Sequence, residues 1–178
     1  LVFTSFIAFA LFIQLLEIFQ SKAYKLFIDI VSGVFFNVFI LFLLLSWSLS
    51  ADKQSVFISF VTLLLVVVAN IKPFEKTKNS FYNISLITSA TVWLKIAIFD
   101  IWSEFTFISL FFLSSIYFFN SFHYKRNVLS YIASTTFFIA YLSLISIVNP
   151  NADFDSYRYY AVLLSFLYLA IGYFVQTR

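Results

Sequence analysis

Apolar stretches of about twenty residues recur along the chain and are separated by short polar breaks. A helix needs about 20 apolar residues to cross a bilayer core, and the stretches lack the strict alternation of a barrel strand. The pattern predicts an all-α fold, a polytopic transmembrane helix bundle of about seven spans. Because the third span is short and the breaks are tight, five to seven spans fit the pattern. The predicted spans are residues 1–20, 26–49, 55–71, 81–101, 105–122, 129–148 and 157–175.

Composition supports this class of protein. The chain is 62% hydrophobic and 11% charged, with a mean hydropathy of +0.98, whereas soluble domains are roughly 45–50% apolar and about 25% charged. We therefore expect residues 1–178 to form a single transmembrane domain. The chain begins at Leu1 instead of a methionine, so we expect it to be processed or to be a piece of a longer protein.

The loop charges predict an orientation. If the amino terminus lies outside, the inside segments hold eight basic residues and the outside loops hold two, which follows the positive-inside rule. The inside residues are Lys22, Lys25, Lys72, Lys76, Lys78, Lys125, Arg126 and Arg178, and the outside residues are Lys53 and Arg158. The carboxyl terminus then faces the cytoplasm or matrix. Abundant Phe, Ile, Asn and Ser are typical of AT-rich genes, so we expect a bacterial inner membrane or a mitochondrial inner membrane.

The sequence pattern of a helix hairpin recurs three times. Two outside turns carry Trp-Ser, at Trp47-Ser48 and Trp102-Ser103, and each is followed by a returning helix. A serine precedes an amide by eleven residues in all three returning helices, at Ser59 and Asn70, Ser109 and Asn120, and Ser165 and Gln176. Two interpretations stay open: duplication of a hairpin, or the similarity expected of any apolar helices with interfacial tryptophans.

The stretch WLKIAIFDIWSEFTFISLFFLSSIYFF resembles the helix-hairpin repeats of a large bacterial family of predicted multi-spanning membrane proteins of unknown function. Lys95, Asp100 and the segment Phe107–Phe112 carry the resemblance. The family usually has an arginine just before the second helix; Thr106 stands there, whereas Arg158 fits the last hairpin. The resemblance covers residues 80–178 and implies architecture rather than activity.

Lys95 is the basic residue that the topology does not explain. It lies inside the fourth span, about 9 Å from its outer end, and helical side chains tilt toward the amino terminus, here the membrane centre. Thr88 and Thr91 share its face, which we expect to turn toward the bundle. Asp100 and Glu104 follow at the outer turn. Either these five residues form an intramembrane polar site, or Lys95 is an interfacial lysine bonded to loop carboxylates or carbonyls.

Other polar residues in the predicted spans have structural explanations. Asn37 is central in the second span and can hydrogen-bond across helices. Lys25 and Asp29 lie four residues apart, which favours an interfacial salt bridge. Ser85 and Ser89 form a small-xxx-small pair that permits close helix packing.

Several chemistries are excluded or weakly indicated. The chain has no cysteine and one histidine, His123, which we interpret as a solvated loop residue. Asp153 and Asp155 could hold a hard cation with loop carbonyls, but they lack a calcium-loop pattern. No phosphate-binding glycine loop and no basic tract occur, so we expect no catalytic site, no metal, no cofactor and no nucleic-acid partner.

Two function classes follow from this pattern. The first is an integral membrane accessory subunit, whose partners are the lipid bilayer and other membrane protein subunits of a respiratory-type or envelope complex. The alternative is a small-molecule or ion transporter or channel with a polar path around Lys95. Transporter sites often use helices broken by glycine or proline. Here Pro73 and Pro150 fall between spans, which favours the accessory subunit, and we rank an enzyme lowest.

Overall fold

The computed structural model is all-α over the residues that it describes, namely 22–46, 49–71, 75, 77–99, 105–151, 153, 157–166 and 168. This part of the chain contains no strand, so the all-α part of the predicted fold class is confirmed. Residues 157–166 are helical. The five helices with defined bounds are α1 (Lys22–Ser46), α2 (Ala51–Val68), α3 (Lys78–Phe99), α4 (Thr106–Tyr124) and α5 (Asn127–Val148).

The helix ends follow the predicted spans closely. The ends of the five helices differ from the ends of the predicted spans by four residues at most. The start of α1 is an example, at Lys22 where the second predicted span begins at residue 26. Within the described residues two stretches, Lys78–Ile98 and Asn127–Val148, are long and apolar enough to cross a membrane. A buried helix of a soluble protein can have the same length and composition. The first predicted span, residues 1–20, lies outside the described residues.

Helix α3 lies at the centre of the packing and contacts α1, α2 and α4, while α2 also contacts α4. Asp29 of α1 bonds Asn83 near the start of α3, and Asn37, two turns later on α1, bonds Thr88 further along α3. Both pairs advance in the same direction, so α1 and α3 run parallel.

Helices α2 and α4 run antiparallel to α3. Asn70, just after α2, bonds Tyr82 near the start of α3, whereas Ser55 near the start of α2 bonds Lys95 near the end of α3. Tyr124, the last residue of α4, likewise reaches the start of α3. The starts of α1 and α3 therefore meet the ends of α2 and α4, and we call this meeting point the inner end because it carries the predicted inside residues.

The core is built from apolar side chains of several helices. Leu113 and Ile116 of α4 are fully buried in one cluster with Val66 of α2 and Val92 of α3. A smaller cluster joins the later turns of α1 to Ile84 of α3.

Glycine permits a close approach of α1 to α3. A Cβ atom added at Gly33 would lie 3.1 Å from Cδ1 of Ile87, which is closer than an ordinary van der Waals contact. The side-chain amide of Asn37 donates to the Gly33 carbonyl oxygen at 2.7 Å. Gly33 therefore serves packing in an unbroken helix and does not mark a break in α1.

Small hydroxyl side chains share the interior of the bundle with the apolar core, and many large apolar side chains are exposed on its outside. Some interior hydroxyls donate within their own helix, as Ser59 does to the Ser55 carbonyl at 2.8 Å and Thr62 to the Ile58 carbonyl at 2.7 Å. The buried hydroxyl residues include Ser32, Ser55, Ser59, Thr62, Ser85, Thr88, Ser89, Ser109, Ser114 and Thr136. The exposed residues include Phe27, Val34, Phe35, Leu64, Leu94, Ile98, Phe111, Phe122, Tyr131 and Phe138.

Two compact units can be distinguished, Leu1–Ala140 and Tyr141–Arg178. In the second, the Tyr141 hydroxyl donates to the Tyr160 carbonyl oxygen at 3.1 Å, and Leu164 is buried. The single domain expected for residues 1–178 stays a prediction.

Candidate functional site

Lys95 has a hydrogen-bond partner on a neighbouring helix. Its Nζ donates to the Ser55 Oγ of α2 at 2.7 Å, and Ser55 is 1% exposed. Nearby in sequence, Lys53 Nζ lies 5.6 Å from the centre of the Phe105 ring, a cation–π distance. Thus the basic side chain of Lys95 on α3 is held against α2 near its start.

Thr88 and Thr91, the other described residues of the predicted Lys95 site, do not form a common site with it. Thr88 is fully buried and accepts a hydrogen bond from Asn37 Nδ2 at 3.1 Å, so it links α3 to α1. Thr91 is exposed, and its hydroxyl donates to its own helix at the Ile87 carbonyl, 3.0 Å away. The face that carries Thr88, Thr91 and Lys95 is therefore not turned inward along its whole length. Asp100 and Glu104 lie outside the described residues.

A second polar cluster, which the sequence did not single out, lies at the inner end. We call it the inner-end cluster and define it as Asp29, Asn70, Asn79, Tyr82, Asn83, His123 and Tyr124. Its residues come from α1, the end of α2, the first two turns of α3 and the last turn of α4. Four helix ends are therefore joined by side-chain hydrogen bonds.

Asp29 lies at the buried side of this cluster. It is 1% exposed, and its Oδ2 accepts a hydrogen bond from Asn83 Nδ2 at 2.5 Å. Its Oδ1 has no hydrogen-bond partner within the described part of the chain. The side chain of Lys25, which was predicted to pair with Asp29, is not among those described.

Tyr124 fixes the orientation of the Asn83 amide. Burial, followed by the negative charge of Asp29 and the influence of Tyr82, raises the pKa of Tyr124 to about 12. The phenol therefore keeps its proton at neutral pH and donates to Asn83 Oδ1. Because the amide oxygen faces Tyr124, the amide nitrogen faces Asp29, and the three side chains form a directed chain of hydrogen bonds.

His123 lies in the last turn of α4 and not in a loop. Its ring stacks on Tyr82, with centroids 3.9 Å apart and planes 7° apart, and its Nε2 lies 2.7 Å from Asn79 Oδ1. Burial and then the positive charge of Lys78 lower the pKa of His123 below its usual 6.5. The imidazole is therefore neutral at pH 7, and Nε2 is the protonated nitrogen because an amide oxygen can only accept.

Below the cluster, Asn120 continues the polar contacts into the core. Its Nδ2 donates to Ser85 Oγ at 3.0 Å, and Ser85 donates to the Tyr82 carbonyl at 2.7 Å. Asn120 is fully buried, and its Oδ1 has no partner within the described ranges. Ser85 thus makes a hydrogen bond across helices in addition to allowing close packing.

A spacing signal for this cluster was present in the sequence. Asn79, Tyr82 and Asn83 lie three and four residues apart, on one face of α3. The predicted topology also brings the start of this helix to the same membrane side as His123 and Tyr124. Together, spacing and topology could have predicted the cluster, whereas the pairing of Asn83 with Asp29 required the rotation of each helix.

The described residues contain no group of three or more potential ligands that could hold a metal ion. No family model, no curated protein and no solved structure matches this chain. The resemblance of residues 80–178 to bacterial helix-hairpin repeats therefore stays a prediction.

Proposed function

We propose that the chain is an integral membrane protein with seven spans. The observation that supports this proposal is that small hydroxyl residues such as Ser85 and Thr88 lie in the interior beside the apolar core, while many large apolar side chains, phenylalanines among them, are exposed. In membranes, helices associate through small residues and interhelical hydrogen bonds, and their outer faces meet lipid. Soluble proteins rarely expose large contiguous apolar surfaces.

The proposed orientation places the amino terminus outside and the inner end at the cytoplasmic or matrix side of a bacterial or mitochondrial inner membrane. The alternating helix directions support it. Lys53, at the start of α2, and Lys125, just after α4, then lie on opposite sides of the membrane.

Cysteine labelling tests this orientation, because the natural chain has no cysteine to interfere. In sealed, right-side-out membranes, we expect Lys53→Cys to react with a membrane-impermeant maleimide. Lys125→Cys should react only after permeabilisation. Both side chains are exposed, so access to the reagent is matched. Labelling of both variants from the same side would show that the topology is wrong.

Within the membrane, we propose that the chain is an accessory subunit of a larger assembly. The observation that supports this proposal is that polar side chains in the described spans form hydrogen bonds between helices. These join Asn37 to Thr88, Lys95 to Ser55, and Asn120 to Ser85. Groups used in this way stabilise the bundle and give it a fixed shape. The exposed face of α5, which carries Val128, Tyr131 and Phe138, is the surface that we propose for lipid and partner subunits.

Photo-crosslinking in native membranes tests the accessory role. A benzophenone maleimide attached at Tyr131→Cys, where the native side chain is 72% exposed, should give a crosslinked product of one discrete mass. The matched control is Ala133→Cys, two residues away and 3% exposed, which should give little product. A chain that stays at its own mass in both variants, and purifies in mild detergent as a monodisperse monomer, would contradict the proposal.

A transporter or channel with a path around Lys95 is the second candidate. The observation in its favour is a charged amine half-buried among apolar helices, since ionisable groups in membranes often mark transport paths. The two candidates differ in whether water reaches Lys95.

A further inference from the structure

A cavity of about 470 Å³ opens at the inner end between α2, α3 and α4. This volume lies within the range of about 300–1,000 Å³ that is typical of ligand pockets. Its described lining residues are Asn70, Lys78, Tyr82, Phe119, Phe122 and His123. They comprise one cation and no acid, so the cavity favours an anionic ligand.

The polar part of the cavity is preorganised. Tyr82 stacks on His123 and receives a hydrogen bond from Asn70 Nδ2 at 2.9 Å, which fixes the ring and the amide in place. His123 Nε2 is engaged by Asn79 Oδ1, so Nδ1 is the ring nitrogen that a ligand would meet. Lys78, the first residue of α3, adds a flexible amine that can follow an anion.

The remaining part of the cavity is apolar and continues onto the outside of the bundle. Phe119 is 42% exposed and Phe122 is 57% exposed, and the Phe122 ring packs edge-on against Phe118 at a centroid distance of 4.7 Å. These rings lie on the outer surface of α4. A ligand with a charged head and a hydrocarbon chain fits this combination, whereas a small inorganic ion would use only the polar part.

We propose that this cavity binds the phosphate headgroup of an anionic phospholipid, with an acyl chain lying along Phe119 and Phe122. The inference rests on the membrane location proposed above but not on the accessory role. Pockets with basic residues between helices at the cytoplasmic or matrix side are typical sites for anionic lipid headgroups. The phosphate would accept hydrogen bonds from the Lys78 ammonium group, while Tyr82 and Asn79 hold the imidazole of His123 in place.

The test measures lipid retention by the full chain in nanodiscs. Chains are incorporated into discs that contain phosphatidylcholine and phosphatidylglycerol, extracted in mild detergent and examined by native mass spectrometry. We expect phosphatidylglycerol to be retained preferentially by the wild type. Lys78→Gln should lower this preference about fivefold, the effect of roughly one basic residue near the membrane surface.

Lys125→Gln is the matched control, because Lys125 is a basic residue at the same end whose side chain does not line the cavity. It should leave the preference unchanged, and Lys78→Arg should restore it. Equal loss in Lys78→Gln and Lys125→Gln would show a diffuse surface effect and overturn the proposal. So would displacement of the lipid by 10-fold excess inorganic phosphate, since the site would then recognise the free ion.

A separate variant tests the proposed contact between the acyl chain and Phe122. Phe122→Ser should weaken retention of phosphatidylglycerol but not that of a short-chain soluble phosphatidylglycerol, because only the full-length lipid reaches the ring. Unchanged retention of both would contradict the apolar half of the site. Stable incorporation without any lipid preference would overturn the lipid site while leaving the membrane proposal intact, and failure to incorporate would overturn both.

Discussion

Replacing Asn83 with aspartate is expected to lower the free energy of unfolding by about 3 kcal/mol at pH 7.5. The substitution changes no volume, but it sets a second carboxyl against the buried Asp29 and removes the amide that donates to Asp29 Oδ2. Two adjacent carboxylates cannot both ionise cheaply in a buried site. The loss should therefore shrink as the pH is lowered and the pair takes up a proton.

The reciprocal exchange tests whether this pair is the cause. In the double variant Asp29→Asn/Asn83→Asp, the amide again donates to a carboxylate, which also accepts from the Tyr124 hydroxyl. We expect its stability to return to within about 1 kcal/mol of the wild type, so that the double-mutant cycle shows a large favourable coupling. Stability can be measured by titration with sodium dodecyl sulfate in mixed micelles.

Asn79→Asp provides the matched control on the same helix. Asn79 is exposed, one turn before Asn83, and its Oδ1 faces His123 Nε2. A carboxylate there can accept the same hydrogen bond and lies near the positive end of the helix dipole, so we expect a change below about 0.5 kcal/mol. If Asn79→Asp and Asn83→Asp were equally destabilising, or the exchange failed to restore stability, the buried pair would not hold α1 to α3.

The ends of the helices could be predicted from the sequence because they coincide with the ends of the apolar runs. The predicted limits of the five defined helices lie close to those in the structure. The described helices alone do not establish seven membrane spans, since two of them meet the criteria of length and apolarity. Counting spans needs the membrane itself, which the labelling of Lys53→Cys and Lys125→Cys supplies.

The residues that each polar side chain contacts could not be predicted from the sequence, because they depend on the rotation of each helix about its axis. The spacing placed Thr88, Thr91 and Lys95 on one face, but α3 contacts three helices, and each residue meets a different environment. Lys95 bonds Ser55 on α2, a small residue that has no distinguishing pattern in the sequence. A lone histidine gives no signal in the sequence, which therefore predicts a solvated loop residue at His123, yet stacking on Tyr82 makes it part of the inner-end cluster.

Lys95 variants have the second large expected effect. Lys95→Ala should lower the free energy of unfolding by about 2–3 kcal/mol, because it removes a half-buried side chain between α2 and α3 and the hydrogen bond to Ser55. Lys95→Met keeps an unbranched stem of similar length and relieves the cost of a charge in apolar surroundings, so its loss should stay within about 1 kcal/mol. Thr91→Ala, one turn away and exposed, is the control and should change stability little.

Variants at residue 95 also distinguish the proposed accessory subunit from the proposed transporter. If Lys95 only packs α3 against α2, Lys95→Met should retain the crosslink at residue 131, and a cysteine at residue 95 should not react with a charged methanethiosulfonate supplied from the inner side. A water-filled path would instead make Lys95→Cys reactive from both sides, while Leu94→Cys on the exposed apolar face stays unreactive. Reaction from both sides would reverse the preference for an accessory subunit, because helix packing alone requires no aqueous route to this amine.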